Sequence, residues 1–437
     1  MNALSIIGVI LGIAILVYGS MKGYSVFISA IAGSAVMALL SGIGLQDAIL
    51  TSFVGGFTGF ISGNFMVFAA GALMGKAYET THGAKSIARL FISLFGKTFA
   101  PYAVLLAIIV MTWGGIAGFV LAFSVFPIAL EVFREADLPR EIVPGVIVAG
   151  CCTASSWGPG TAQPVNAVMA NGFGTNLMAA AVPSAIMAVV AVLTAFAVMS
   201  VLFKRARAND QHFVALDTTP VEDVQDLPNG WVALIPLAVA LILINVKIGG
   251  KAILPTPFGI AVGAALAMIL MFKYKTDDKP VTKHIGDAFG NALTSIGNTG
   301  AMVAVGSVAQ TTVGFQTVLG AVTGIGGSPL IGASLAGLIV AFICGGATGA
   351  TGLLGPILTP VYTAMGANLE MVGRIVMASG HITGTLWNGG FINTVITGIA
   401  KDTYKNCFKY SFLICTFSNI VAVIVGIIIM TIMGPYV

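Results

Sequence analysis

The chain has 437 residues, 57% of them hydrophobic and only 8% charged, with a mean hydropathy of +1.00. Soluble domains carry roughly 25% charged side chains, so a soluble globule is excluded, and apolar runs that are continuous rather than alternating exclude a lipid-spanning β-barrel. The net charge of +4, from Lys+Arg 20 against Asp+Glu 16, is too small and too dispersed to suggest a nucleic-acid partner and reads as loop charge that sets topology in a lipid bilayer.

Apolar runs at 2–20 and 25–41 are each long enough to span, with Lys22 in the turn between them. The first run lacks a basic flank and a cleavage site, so it reads as a retained helix. After a Gly-rich stretch, a span is predicted at about 64–79, followed by a basic cluster (Lys76, Lys85, Arg89, Lys97) on an interfacial amphipathic segment at 83–96. Two arms at about 101–112 and 119–130 flank Trp113-Gly-Gly-Ile-Ala-Gly118. As helices they are about 18 Å long, too short to cross a core about 30 Å thick, so they read as a re-entrant hairpin. A helix entering at Glu141 meets Thr153-Ala-Ser-Ser-Trp-Gly-Pro-Gly-Thr161, which no continuous helix tolerates. A long apolar run then reaches Phe203, and the polar residues 204–230 read as a cytoplasmic linker.

The plan then repeats. Spans are predicted at about 231–246 and 257–272, then an amphipathic piece from His284 and a span at about 300–313. Arms at about 330–343 and 353–364 flank Cys344-Gly-Gly-Ala-Thr-Gly349. A helix from about 368 breaks at Gly380-His-Ile-Thr-Gly-Thr-Leu-Trp-Asn-Gly-Gly390, and a last span covers about 411–433. The duplication is visible in the letters: Thr153 to Gly160 aligns with Thr383 to Gly390, and Trp113 to Gly118 with Cys344 to Gly349. Phe126-Pro-Ile also meets Gly355-Pro-Ile, and Gln46-Asp-Ala meets Gly286-Asp-Ala, all in the same order.

The expectation is an all-α polytopic membrane protein of about ten spans plus two hairpins. The repeats are 1–203 (hairpin about 101–130, broken helix about 141–171) and 231–437 (hairpin about 330–364, broken helix about 368–400). Placing Lys and Arg loops in the cytoplasm inverts the halves and puts both termini outside, with Lys247 and Lys251 in conflict.

Inverted repeats with interrupted helices are the plan of a secondary transporter. A break at mid-membrane exposes helix N-termini that suit a carboxylate and carbonyls and hydroxyls that suit a cation. Candidate substrate residues in the first half are Thr112, Gly114, Gly115, Gly118, Thr153, Ser155, Ser156, Trp157 and Thr161. In the second half they are Gly345, Gly346, Thr348, Gly349, Thr351, His381, Thr383, Thr385, Asn388 and Asn393, with Gln163 and Asn166 as weaker candidates. The bland alternative is that small residues permit close packing and hydroxyls bond back to their own helix. Trp157 and Trp387 line the site or pack symmetrically. His381, the one ionisable residue inside either break, is either a proton carrier or substrate donor, or a neutral ring bonded to a backbone carbonyl. Arg374, at i+4 from Glu370, reads as half of a stabilising pair near the outer surface. The cysteines Cys151, Cys152, Cys344, Cys407 and Cys415 show no metal or disulfide spacing, and the four histidines are scattered. No catalytic constellation, metal or cofactor is expected; the coupling ion is H+ or Na+, held in the sodium case by neutral oxygens.

At these motifs the chain resembles the gluconate permease family of secondary transporters, within the ion-transporter superfamily. The resemblance rests on Gly75-Lys76-Ala-Tyr-Glu79, Gly83-Ala-Lys-Ser-Ile-Ala88, Gly118-Phe-Val120, Pro127, Thr153 and Gly158-Pro-Gly160, then on Gly349 to Pro356, Ser379-Gly-His381 and Asn388-Gly-Gly390. It implies proton-coupled uptake of small hydroxylated carboxylates across a bacterial plasma (inner) membrane. It further implies an elevator motion of hairpins and broken helices against a homodimeric scaffold. The chain departs from the family pattern at Gly115-Ile-Ala-Gly118, where an acidic residue is common. It departs again at Cys152 to Trp157, a region often rich in His and Pro, and at Trp387-Asn388-Gly389, where Asn-Asp is frequent. These losses favour a smaller hydroxy monocarboxylate over a sugar acid and weaken coupling through a carboxylate. A sodium-coupled carrier of an amino acid or dicarboxylate, and a passive channel or facilitator, are the alternatives.

Overall fold

The computed structural model describes residues 2–21, 24–215, 226–248, 251–275, 278–323, 328–387 and 389–436. Lys22, Asn388 and the middle of the expected linker therefore lie outside the described residues. The described chain is helical apart from one two-residue β-ladder, Lys247–Ile248 with Lys251–Ala252, and an isolated bridge between Ala367 and Tyr436.

Two long apolar helices open the chain, α1 (Asn2–Met21) and α2 (Val26–Ser41). They meet at Gly12 and Gly33, where a Cβ on either would run into the other's carbonyl, the close approach that small residues allow between membrane helices. A π-helical turn, Asp47–Phe53, feeds α3 (Val54–Thr80). Next comes α4 (Gly83–Trp113), which is kinked where Gly96 adopts φ 73 and ψ 171. The interfacial segment and the first hairpin arm are thus two parts of one element joined at that glycine. The second arm is α5 (Gly118–Glu135).

The first interrupted helix follows as α6 (Val143–Cys152), the short α7 (Ala154–Trp157) and α8 (Pro164–Gly172). Thr153 leaves helical geometry at φ −108, ψ −133, and Gly158 is extended. Then α9 (Ala181–Ala208), α10 (Gly230–Asn245) and α11 (Thr256–Met271) lead to α12 (Val281–Gln310). The predicted amphipathic piece from His284 and the span at 300–313 are this single helix, because no breaker falls between them. A short α13 (Val313–Thr323) precedes the second helix pair, α14 (Pro329–Cys344) and α15 (Ala347–Ala364). The second interrupted helix is α16 (Leu369–Thr383) and α17 (Gly390–Asn393), which runs on as a π-helical turn, Thr394–Ile399. α18 (Tyr404–Ser411), a further π-helical turn and α19 (Phe417–Met433) close the chain.

Among the described residues, 5 helical stretches are long and apolar enough to cross a membrane, and further apolar helices of 10–17 residues accompany them. The second arms α5 and α15 are 18 residues each, about 27 Å as helices. They are longer than the sequence suggested, because helical geometry resumes directly at the tips. Arm length therefore does not mark them as re-entrant.

The buried apolar residues divide into two large clusters that interlock the halves. One joins α4, α5 and α6 to residues 392–400 beyond the second break. The other joins α14, α15 and α16 to α7, α8 and α9 beyond the first. Each helix pair thus packs with the exit segment of the other half.

The start of the expected linker is tied to the turn after α5. His212 Nδ1 lies 2.7 Å from an Asp137 carboxylate oxygen, and the Phe213 N–H donates to the other at 3.1 Å. Hydrogen bonding to Asp137 holds the imidazolium above its usual pKa, and the same bond, with that from Phe213, holds the Asp137 carboxyl below its own. A raised histidine contributes fully below its ordinary value and is lost as pH climbs through the raised one; a lowered carboxyl is lost as pH falls through the lowered one. Protection of the Phe213 amide, taken relative to its base-catalysed intrinsic exchange, is therefore expected to be greatest between those limits and to fall on either side. His212→Gln should remove the alkaline limb.

Candidate functional site

A cavity of about 1120 Å³ opens where both helix pairs and both interrupted helices meet. Its walls include Gly115, Ala117 and Gly118 from the first tip, Gly345 to Gly349 from the second, Cys151, Cys152 and Ser156 from the first break, and His381, Gly384 and Thr385 from the second. Both tips turn on a glycine with positive φ, Gly115 at 102° and Gly345 at 64°, a conformation that other residues adopt only with strain. Close approach fixes the second tip on the second break, since a Cβ at Gly384 would stand 3.0 Å from Ala347 N and 3.1 Å from Gly346 Cα. The first tip reaches across the halves, with Gly118 against Cys151 and the Phe391 ring.

Of the residues singled out from sequence, Gly115, Gly118, Ser156, Gln163, Gly345, Gly346, Thr348, Gly349, His381 and Thr385 line this cavity. Asn388 lies outside the described residues; the other candidates do not line it, and their hydrogen bonds and packing say why. Thr153 Oγ1 donates to Ala149 O at 2.6 Å, Ser155 Oγ to Gly150 O at 2.6 Å, and Thr161 Oγ1 to Ser155 O at 2.6 Å. These hydroxyls satisfy carbonyls that the first break would otherwise orphan. Thr383 Oγ1 donates to Leu338 O, within α14, at 2.7 Å. Thr112 is buried beside Cys151, and Gly114 is pressed on Leu237. Trp157 is fully buried with its Nε1 donating to Asn419 at 3.0 Å, whereas Trp387 is half-exposed against Phe342 and Phe408. The two tryptophans are thus not environmental equivalents. Asn393 is exposed and accepts from Thr397, and Thr351 is fully buried with no partner for its hydroxyl among the described residues.

His381 Nδ1 lies 2.8 Å from Met377 O. A carbonyl only accepts, so Nδ1 carries the proton and Nε2 is the ring nitrogen left for another partner. Ser156 Oγ donates to Cys151 O at 2.5 Å, and Thr385 Oγ1 to His381 O at 2.8 Å, leaving each oxygen acceptor capacity.

Arg374 is not half of a surface pair. It is fully buried and spends its guanidinium on the first break: Trp157 O at 2.6 Å, Gly158 O at 3.2 Å, Leu177 O at 3.1 Å, Ala179 O at 2.9 Å and Asn166 Oδ1 at 2.9 Å. Glu370 instead accepts from the Ala180 N–H at 2.9 Å and from Asn176 at 3.4 Å. The carbonyls freed by the interruption draw the cation inward, and an arginine fork reaches several of them at once. Gln163 has a similar task, donating to Thr112 O at 2.6 Å and Ile116 O at 3.0 Å behind the first tip.

Two groups of lining residues were not anticipated. The turn between α3 and α4 brings Lys76, Glu79, His82 and Lys85 to the cavity, with Lys76 and Glu79 paired at 2.8 Å. α12 contributes Asn291, Thr294, Ser295, Asn298 and Thr299. The latter were legible as polar residues recurring at helical spacing, had 281–310 been read as one helix.

The sequence profile of the GntP family permeases matches residues 4–433. The chain belongs to the GntP permease family. It is similar to an uncharacterized transporter of Bacillus subtilis (strain 168), YxjC, at 24% identity over 93% of this chain and 95% of that one. It is also similar to a high-affinity gluconate transporter of Escherichia coli (strain K12), at 23% identity over 84% of this chain and 89% of the other. Its fold is similar to that of the YdaH transporter of Alcanivorax borkumensis, whose crystal structure is described as revealing an unusual topology. That likeness covers 90% of each chain with a TM-score of 0.61 and 16% identity. The GntP permease chain is thus a multi-pass membrane transporter and not an enzyme.

Proposed function

We propose that this permease is a cation-coupled symporter of a small organic anion, a hydroxy monocarboxylate or a sugar acid of the gluconate type. The observation that carries the reading is the convergence of uncapped helix N-termini on one cavity. α5, α8 and α15 begin at its wall, and no side chain caps any of them. Other helices of the chain, α11 and α12 among them, also start without a side-chain cap, so it is the meeting of these three starts on one cavity that supports the reading. Free N–H groups and a partial positive charge at three helix starts form a site for a carboxylate. Thr348 lies in the first turn of α15 and lines the cavity. Thr348→Asp would install a resident carboxylate there, which favours the helix itself by about 0.3–1 kcal/mol but competes with the substrate. Uptake is expected to be lost in Thr348→Asp and kept in Thr348→Asn, both folded; equal uptake by the two would remove the electrostatic site.

Alternating access by inverted repeats accounts for the interlocked clusters and for contacts between segments expected on one side. Asp137 meets His212, Arg140 donates to Ala400 O at 2.7 Å, and Gly230 abuts Ser86 and Leu90. On the other side, the Asn368 N–H donates to Pro435 O at 2.7 Å. Both termini then lie outside a bacterial plasma membrane. The hairpins and breaks move as an elevator against a homodimeric scaffold, and 204–230 serves as the cytoplasmic linker. The coupling ion is H+ through His381, or Na+ among neutral oxygens. If His381 carries the proton, His381→Gln should still bind substrate yet lose its response to an imposed pH gradient; a fully coupled variant assigns the coupling elsewhere.

A further inference from the structure

The helix starts account for a carboxylate, and they leave one wall of the cavity without a task. On α12, Asn291, Ser295 and Asn298 recur at i, i+4 and i+7, a spacing that puts them on one face over about 10 Å. All three line the cavity, and none makes a side-chain hydrogen bond among the described residues. Their neighbours Thr294 and Thr299 differ, because each returns its hydroxyl to its own helix at 3.0 Å, to Gly290 O and Ser295 O. The polarity stops at the cavity: from Gly300 to Val305 the helix is apolar and largely buried. Toward the N-terminus the same face continues into the Lys283–Asp287 pair at 3.3 Å, which closes on itself. Amides deeper in a membrane helix are costly unless something satisfies them, so the part of the stripe that lines the cavity and ends with it points to a polar occupant there.

We infer that Asn291, Ser295 and Asn298 form a hydroxyl-reading subsite that selects carboxylates with a hydroxylated chain over their unsubstituted analogues. An amide offers both donors and an acceptor, and a serine hydroxyl offers one of each kind. That combination matches alcohol groups, which also donate and accept, and gives no advantage to an alkyl chain. The carboxylate is held by the starts of α5, α8 and α15 while the chain lies along α12. Selectivity follows because a site built to hydrogen-bond a hydroxyl is left with unpaired polar groups by an analogue that lacks it.

This inference rests on the reading of the cavity as a carboxylate site, and one assay separates the two. Purified protein in proteoliposomes takes up radiolabelled gluconate in competition with unlabelled gluconate or with hexanoate. The wild type is expected to prefer gluconate strongly. Asn298→Leu and Asn291→Leu should each lower that preference by about tenfold, with Ser295→Ala changing it in the same direction. Gel filtration of each variant checks folding, and the mild Ser295→Ala keeps the test alive if a leucine variant misfolds. Folded variants that retain the wild-type preference overturn the subsite while leaving the carboxylate site standing, as does a wild type that inhibits equally with hexanoate. If lactate is taken up and gluconate is not, the same competition is run with lactate against propionate; a wild type that takes up neither removes the functional reading, and the subsite with it.

Discussion

Arg374→Met is expected to abolish uptake and to lower stability, since each buried acceptor left unsatisfied costs about 1–3 kcal/mol. The guanidinium bonds the carbonyls of Trp157, Gly158, Leu177 and Ala179 and the side-chain oxygen of Asn166. Arg374 stands on α16, while every one of those acceptors lies in or beyond the first break. One side chain therefore fastens the helix of one interruption to the unwound backbone of the other. Without it, the carbonyls of Trp157 and Gly158 are left buried with no donor among the described residues, whereas Leu177 O keeps the Gly160 N–H at 2.8 Å and Ala179 O the Ser184 hydroxyl at 3.3 Å. Lysine has three donors on one atom and cannot reproduce the fork, so Arg374→Lys should fall between wild type and Arg374→Met. Thermal unfolding in detergent, followed by size-exclusion chromatography, gives the order. A methionine variant as stable and active as wild type would show that the cluster is dispensable.

The second large effect is steric. Gly384→Val should eliminate transport and cost about 1–3 kcal/mol, the usual penalty for overpacking. Its added Cβ would stand 2.9 Å from Gly380 O, 3.0 Å from Ala347 N and 3.1 Å from Gly346 Cα. All three are backbone atoms, so no side chain can swing aside. The collision forces the second tip away from the second break, which opens one wall of the cavity. Gly286→Ala on α12 is the control, because nothing lies within 4 Å of a Cβ there. It should leave uptake unchanged and, as an alanine in a helix, give equal or slightly greater stability. Transport by Gly384→Val at the control's rate would mean that the close contact has no role.

Much of this architecture was written in local chemistry. Thr153 to Gly160 cannot form a continuous helix, and Gly115 and Gly345 mark turns that need positive φ, so the tips and breaks could be placed from the letters. What the letters hid was set by contacts between distant segments. Arg374 looked like a partner for Glu370, one helical turn away, yet its acceptors are some two hundred positions distant, at the carbonyls the first break leaves bare. Thr153 and Thr383 sit in the breaks, but each hydroxyl donates to a carbonyl of the protein and neither lines the cavity. Whether a threonine faces its own scaffold or a cavity depends on the helix rotation, which sequence spacing near a break does not fix. The α12 stripe failed for the opposite reason: it is regular, but dividing 281–310 into two elements concealed its periodicity.

The scarcity of charge acquires a different meaning in three dimensions. No Asp, Glu, Lys or Arg lies at the tips or within the breaks, yet Lys76, Glu79 and Lys85 reach the same cavity from the α3–α4 turn. In the proposed site neutral donors and helix starts would hold the occupant, while the charges stand at the turn of another element.

The central claim is that the cavity couples carboxylate movement to an ion gradient, and accumulation tests it most directly. Proteoliposomes carrying the purified permease would be offered gluconate and lactate with proton and sodium gradients imposed separately and collapsed by ionophores. The account predicts uptake of at least one carboxylate above its equilibrium level, driven by one of the two gradients and abolished when that gradient is collapsed. Equilibration alone under every gradient, or no carboxylate uptake at all, would contradict it.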